Sequence, residues 1–398
     1  MPVFQYDDTE TLAFFMEKMM LTDEKWEDLY RFRHNLHKHP ELPMQEFETT
    51  ARIEERLKTL GLEIITPTSM RTGVVAALGP KEAPVIVLRA DIDALPIQEK
   101  TALSYSSVTQ GIMHACGHDF HTVSLLAAAE RIKEMEGSLN VRVLFVFQPA
   151  EETHQGAELV LRSHILEDAQ FIIGFHNDPT MSVGTLSIEG GARNAAIDQF
   201  KVRLHGKGGH AAHPDKNVDP VLGMANIISS LQSIVSRHIN PQHAAVLSVT
   251  HVEAGSTWNV IPDDSWFEGT IRTFSTADQT LARERFEQIV KLQGEAFGLS
   301  SEIDWISGPP VLWNNVDLVK QVKDSLRKKL NIVESAPSAG GEDFAFYSQS
   351  IPALFAEVGS GISTGLHHSD LKVDDEGLKT AAAWYVETLK ILSKKLSA

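Results

Sequence analysis

Short, nearly continuous apolar runs punctuate the chain at 74–78, 85–88, 141–147, 171–175 and 353–358. Runs of that length suit strands buried on both faces. A helical pattern occupies 123–135, between the second run and the next, and earlier Trp26, Leu29, Phe32 and Leu36 recur about a turn apart. That helix breaks at His39-Pro40 and the pattern resumes through Ile53, Leu57 and Leu60 to Gly61,. Strands alternating with helices predict a larger α/β domain built on a mixed, mostly parallel sheet. Ligands of such sheets bind at the carboxyl ends of the strands. Here those ends carry Asp91 and Asp93, Glu151 and Glu152, His176 and, after a glycine-rich loop, His367 and His368.

The middle of the chain has a different rhythm: strand 200–204, helix 220–235, strands 245–252 and 266–274, helix 277–297 and strand 302–306. The order β-α-β-β-α-β is that of a ferredoxin-like unit, which predicts a compact lid domain inserted into the larger one. Gly190-Gly191 and Gly308-Pro309-Pro310 are hinge-like borders,. The expected division is 1–190 for the first part of the catalytic α/β domain, 191–307 for the inserted lid and dimerisation domain, and 308–398 for the second part. An apolar patch at Leu12-Ala13-Phe14-Phe15-Met16 reads as a leading helix.

The chain has 398 residues, more than one core usually serves, and 42% hydrophobic with 22% charged residues is a globular balance,. Acidic residues outnumber basic ones by 53 to 36, and a net charge of −17 disfavours nucleic acid and anionic lipid as partners,. The single cysteine, Cys116, excludes an intramolecular disulfide framework,. With no secretory signal pattern and no apolar run near the ~18 residues of a membrane span, a soluble cytoplasmic protein is expected.

Chemistry concentrates in Met113-His114-Ala115-Cys116-Gly117-His118-Asp119-Phe120-His121, where three histidines, a thiol and a carboxylate fall between a turn and a helix. Such residues also serve as helix caps and core groups, and Glu151-Glu152 after a buried strand also suits a solvated helix start. Taken together, Cys116, His118, Glu152, His176 and one of His367 or His368 offer sulfur, nitrogen and oxygen donors suited to zinc or another divalent first-row ion. Five donors exceed the four of a closed structural zinc site and favour a two-metal centre.

At these residues the sequence resembles the metal-dependent amidohydrolase and peptidase family of aminoacylases and carboxypeptidases, in its branch of auxin-conjugate (IAA-amino acid) hydrolases and bacterial N-acyl-amino-acid amidohydrolases. The motifs occur in the family's order: Arg33-His34-Asn35-Leu36-His37-Lys38-His39-Pro40-Glu41-Leu42, Arg89-Ala90-Asp91-Ile92-Asp93-Ala94-Leu95-Pro96, the segment around Cys116, Gln148 to Glu152, Gly206-Lys207-Gly208-Gly209-His210, Asn259-Val260-Ile261-Pro262 and Gly341-Glu342-Asp343-Phe344. The resemblance implies that Cys116, His118, Glu152, His176 and His367 bind two divalent ions, zinc or manganese, with cobalt or nickel as other occupants. It makes Glu151 the general base and Asp91 the carboxylate that orients a ligand. It makes His210 a substrate or transition-state contact, with Asn259 and Arg272 gripping a substrate carboxylate, and it implies a homodimer joined through the inserted domain. Two departures mark the branch. Arg89 stands where the peptidases have a metal-binding histidine, and no proline follows His367-His368-Ser369-Asp370.

The expected reaction is hydrolysis of the amide of an N-acyl amino acid, N-acetyl or aryl-acyl, by a metal-activated water. Dipeptidase, aminopeptidase or carboxypeptidase activity of the same family is the runner-up. Two other classes compete: a thiol hydrolase with Cys116 beside His118 or His121, and a non-catalytic protein that keeps metals for stability. Pocket shape depends on loops at 193–197 and 359–364.

Overall fold

The computed structural model describes residues 21–361 and 365–397. The apolar patch at 12–16 and residues 362–364 of the second pocket loop lie outside the described residues. Two compact units emerge, one of Met1–Gly191, Trp313–Ala336 and Phe346–Ala398, the other of Ala192–Leu312 and Pro337–Ala345.

The first unit is built on an eight-stranded sheet in the order Glu63–Ile64, Val74–Leu78, Arg142–Gln148, Val85–Asp91, Ala169–Asp178, Ala353–Gly359, Thr185–Ser187 and Asn331–Val333. The four strands in the middle, Arg142–Gln148 to Ala353–Gly359, are mutually parallel, so their carboxyl ends share one edge. Antiparallel pairing enters at Val74–Leu78 and Thr185–Ser187. The five expected apolar runs are five of these eight strands; Glu63–Ile64, Thr185–Ser187 and Asn331–Val333, each two or three residues long, fall outside the expected runs. Val74–Leu78 is buried along its whole length, as a strand with no solvent face must be,.

Two helices pack against each other, His118–Lys133 and Gly377–Leu396. His118–Lys133 starts five residues earlier than its apolar pattern predicts. Its first turn holds His118, Asp119 and His121, all buried and polar, which periodicity does not register. Gly117 caps it in the left-handed region at φ 87°, and a Cβ there would lie 2.6 Å from Asn177 Oδ1, so glycine is required,. Gly377–Leu396, absent from the sequence reading, is buried through Trp384, Tyr385 and Leu389. Trp384 Nε1 donates to the Gly174 carbonyl at 3.1 Å, tying the helix to the sheet.

A buried ionic network braces the start of His118–Lys133. Arg33 donates from Nε to Asp375 at 2.6 Å and through its η nitrogens to Asp119 and the Tyr105 hydroxyl, each at 3.1 Å. His37 Nδ1 meets the same Asp119 oxygen at 3.1 Å, and its Nε2 meets Glu99 at 3.3 Å. The motif from Arg33 to His37 thus joins Asp23–Lys38 to the start of His118–Lys133.

The second unit carries a four-stranded antiparallel sheet in the order Ala245–Ala254, Asp264–Thr273, Ala196–His205 and Ser300–Ser307. Helices Pro220–Leu231 and Thr276–Ala296 cover one face, and Phe200, Ile227, Phe267 and Phe286 form its core. Burial alternates along Ala196–His205, as expected of a sheet with one covered face,. The helix expected at 220–235 stops at Leu231 and passes into a wider turn at Ile234–His238. Residues 337–345 also belong to this unit. Among the described residues no helix is long and apolar enough to cross a membrane.

Burial opposes a charge on His37, but Asp119 and Glu99 outweigh it and hold its pKa at about 9. A folded-state pKa above the unfolded value of about 6.5 gives stability that is complete below pH 6.5 and lost as pH rises through 9, on the order of 3 kcal/mol. The urea midpoint is expected to fall across that window, and His37→Gln to flatten the fall.

Candidate metal centre

The shared carboxyl edge explains why residues distant in sequence meet. Val85–Asp91 ends at Asp91, with Asp93 two residues on, and Arg142–Gln148 runs through Pro149 and Ala150 to Glu151 and Glu152. Ala169–Asp178 supplies His176, the segment before helix His118–Lys133 supplies Cys116, and a loop beyond Ala353–Gly359 supplies His367.

Two donor sets share one thiol: Cys116 with His118 and His176, and Cys116 with Glu152 and His367, each with all ligand atoms within 4.8 Å of one another. A third set of the same compactness joins His118, Glu151 and Glu152. Cys116 Sγ lies 3.3 Å from His176 Nε2, His367 Nε2 lies 3.5 Å from Glu152 Oε1, and His118 Nε2 lies 3.8 Å from that oxygen. Bonds of about 2.0–2.3 Å at tetrahedral angles separate two donors by about 3.3–3.6 Å. His118 Nε2 and Glu152 Oε1 are buried and make no hydrogen bond among the described residues. Orphaned donors at ligand spacing fit divalent cations, and a sulfur common to both sets suits two of them.

The surroundings set each donor's state. Burial pushes the Cys116 thiol well above its ordinary value, and Glu152 adds to the effect. Burial lowers the His176 pKa to about 3. Its Nδ1 donates to the Asn177 carbonyl at 2.7 Å, which leaves the Nε2 lone pair facing Cys116. Burial opposes a proton on His118, but Asp91, Cys116 and Asp93 outweigh it and raise its pKa. The neighbouring Glu152 carboxylate likewise raises His367.

His367, rather than His368, is the histidine brought to Cys116 and Glu152. Its amide donates to the Ala115 carbonyl at 2.7 Å, its φ of 61° lies in the left-handed region, and its Nε2 lies 3.5 Å from Glu152 Oε1, although both histidines are exposed. Asp91 Oδ1 accepts from His121 Nδ1 at 2.6 Å and Oδ2 from Arg89 at 2.8 Å, placing Asp91 3.8 Å from His118. The carboxylate against His118 is Asp93, at 3.1 Å from Nδ1, and its other oxygen accepts the Glu152 amide at 3.0 Å. Asp93 and Asp91 are two apart at a strand end, so both face the same side; that spacing was the available signal for Asp93. Arg89 is buried and also donates to Gln148 at 2.9 Å.

His210, Asn259 and Arg272 belong to the second unit. His210 is exposed on a short ribbon opposite Val260, next to Asn259, whose carbonyl accepts the Ala211 amide at 3.1 Å. Arg272 is half-buried and donates to the Ala339 carbonyl at 2.8 Å.

The sequence pattern of peptidase family M20/M25/M40 matches residues 87–391. An N-acetyl-L-cysteine deacetylase of Bacillus subtilis (strain 168) is 45% identical over 366 residues, 92% of this chain and 88% of that protein. An IAA-amino acid hydrolase of Arabidopsis thaliana is 38% identical over 334 residues, 82% of this chain and 76% of that protein. Among solved structures, a Bacillus subtilis dinuclear metal binding peptidase superposes with a TM-score of 0.85 at 36% identity, covering 94% of this chain and 99% of that one.

Because both donor sets contain Cys116, Cys116→Ser is expected to lower bound divalent metal from two per chain toward none, whereas His368→Ala keeps two. Atomic emission on gel-filtered protein measures both.

Proposed function

The chain belongs to peptidase family M20/M25/M40, hydrolases of amide and peptide bonds, and from that premise we propose that it cleaves the amide of N-acyl amino acids. The observation that carries this reading is the pair of donor sets sharing Cys116, with Glu151 buried beside Glu152. The deacetylase and auxin-conjugate hydrolase relatives support the substrate class. Cys116, His118, Glu152, His176 and His367 would hold two divalent ions, zinc or manganese, with cobalt or nickel as other occupants. When bound, such ions supply Lewis acidity and lower the pKa of water toward ~7.

In this reading Glu151 takes the proton of the attacking water and returns it to the leaving nitrogen. His210 donates to the developing oxyanion, and Asn259 and Arg272 hold the carboxylate of the amino-acid half. Asp91 keeps the His121 imidazole oriented behind His176, whose ring centre lies 4.6 Å from that of His121. The second unit is read as a ferredoxin-like lid inserted into the catalytic domain, with the chain acting as a homodimer through it. Its strand order and the open edge of Ala245–Ala254 support that assignment. The alternative of Cys116 as nucleophile is disfavoured, because burial raises its thiol pKa while a nucleophilic cysteine needs it lowered,.

A panel of N-acetyl, N-benzoyl and indole-acyl amino acids, with dipeptides as the competing class, tests the substrate with metal-loaded protein. Glu151→Gln is expected to lower kcat by roughly 10³-fold or more while keeping both ions; near-full activity with two ions bound would reassign the base. His210→Ala is expected to cost about 10²–10³-fold in kcat, with light scattering reporting a dimer for both proteins.

A further inference from the structure

Glu46 has no part in the chemistry described so far, yet it is completely buried. It sits immediately before helix Phe47–Thr59. Its Oε1 accepts the backbone amide of Ala150 at 2.9 Å, across 104 positions of sequence. Ala150 directly precedes Glu151 and has φ 54°, a left-handed conformation that alanine rarely adopts without external support,. Two residues later the Glu152 amide donates to Asp93 Oδ2 at 3.0 Å. The turn that presents Glu151 therefore hangs from two buried carboxylates on alternate amides. It closes on itself as well: the Ala150 carbonyl accepts from the Gln155 and Gly156 amides at 3.2 and 3.1 Å. A Cβ on Gly156 would fall 1.7 Å from the Pro149 carbonyl oxygen. Asp93 also faces His118, so its removal disturbs the metal ligands. Glu46 touches the turn on the other side of Glu151.

We propose that Glu46 is a positioning residue for the hydrolysis: by holding the Ala150 amide it keeps that residue left-handed and thereby sets where the Glu151 carboxylate lies. The inference rests on the reading of Glu151 as the general base. It needs an acceptor oxygen at the end of a side chain of glutamate's length, and it does not need a charge. A glutamine side chain carries such an oxygen at the same reach, whereas an aspartate side chain is one methylene short of it.

The test uses the metal-loaded protein and the best substrate of the N-acyl amino acid panel, with Glu46→Gln, Glu46→Asp, Glu46→Ala and Glu151→Gln compared. Glu46→Asp and Glu46→Ala are expected to lower kcat about 30-fold or more, in proportion to the loss of base alignment, with KM within about twofold and two ions retained. Glu46→Gln is expected to stay within about fivefold of the parent in kcat. Hydrogen exchange supplies a readout independent of activity: the peptide covering 148–156 should exchange faster in Glu46→Asp and Glu46→Ala but not in Glu46→Gln. Should Glu46→Ala fail to fold, the contrast between Glu46→Asp and Glu46→Gln decides alone. Parent-like kcat in Glu46→Asp, or a fall in Glu46→Gln as deep as in Glu46→Asp, would overturn the inference. If Glu151→Gln keeps its activity, the base assignment falls and this inference with it. If Glu151→Gln is inactive while the Glu46 variants behave like the parent, only the role given to Glu46 is lost.

Discussion

Five electron-rich side chains crowd one edge of a sheet, and the arrangement needs a positive charge at its centre. A buried thiol, a carboxylate and imidazoles lie 3.3–3.8 Å apart, the spacing of ligands around a cation,. In a low-dielectric interior that arrangement is costly unless a cation intervenes. The protein answers part of the cost with its own fixed charges. Arg89 neutralises Asp91 beneath the site, and Arg33 neutralises Asp119 at the head of helix His118–Lys133. Both of those bonds go to carboxylates that flank the donor pocket. The remaining negative character is left for ions to balance.

The parallel core of the sheet makes that crowding possible. Parallel strands end on the same side, so Asp93 and Glu152 reach His118 and His176 reaches Cys116 without any strand having to turn back. Left-handed residues then aim the final side chains. Ala150 turns the chain into the Glu151-Glu152 pair, and His367 reaches Glu152 from a loop pinned by the Ala115 carbonyl. Two of the left-handed non-glycine residues thus sit where donors converge, and hydrogen bonds from distant segments hold them in place,.

Much of this architecture is visible in residue order. The nearly continuous apolar runs mark the buried strands because a strand covered on both faces has no polar side to show. The spacing of Cys116 and His118, and the acidic pair after 141–147, expose the donor inventory when read together with His176 and His367 at the other strand and loop ends. Periodicity fails where burial is complete or polar. Helix His118–Lys133 begins in a turn of histidine and aspartate, and Gly377–Leu396 shows no clean amphipathic stripe because nearly every side of its first half is covered.

Residue order alone determined which side chains could act and which segment ends would carry them: alternating strands and helices with like-directed ends leave few places for a site. It did not determine pairings that depend on ångström-scale direction. Only the folded chain decided that His367 rather than His368 turns toward Glu152, because its φ of 61° and its bond to Ala115 bring its ring to that carboxylate. Only the folded chain decided that Asp93 meets His118 while Asp91 serves His121 and Arg89. Hydrogen bonds and ligand bonds reward distance and angle, quantities that sequence spacing constrains only within an element and that packing sets between elements.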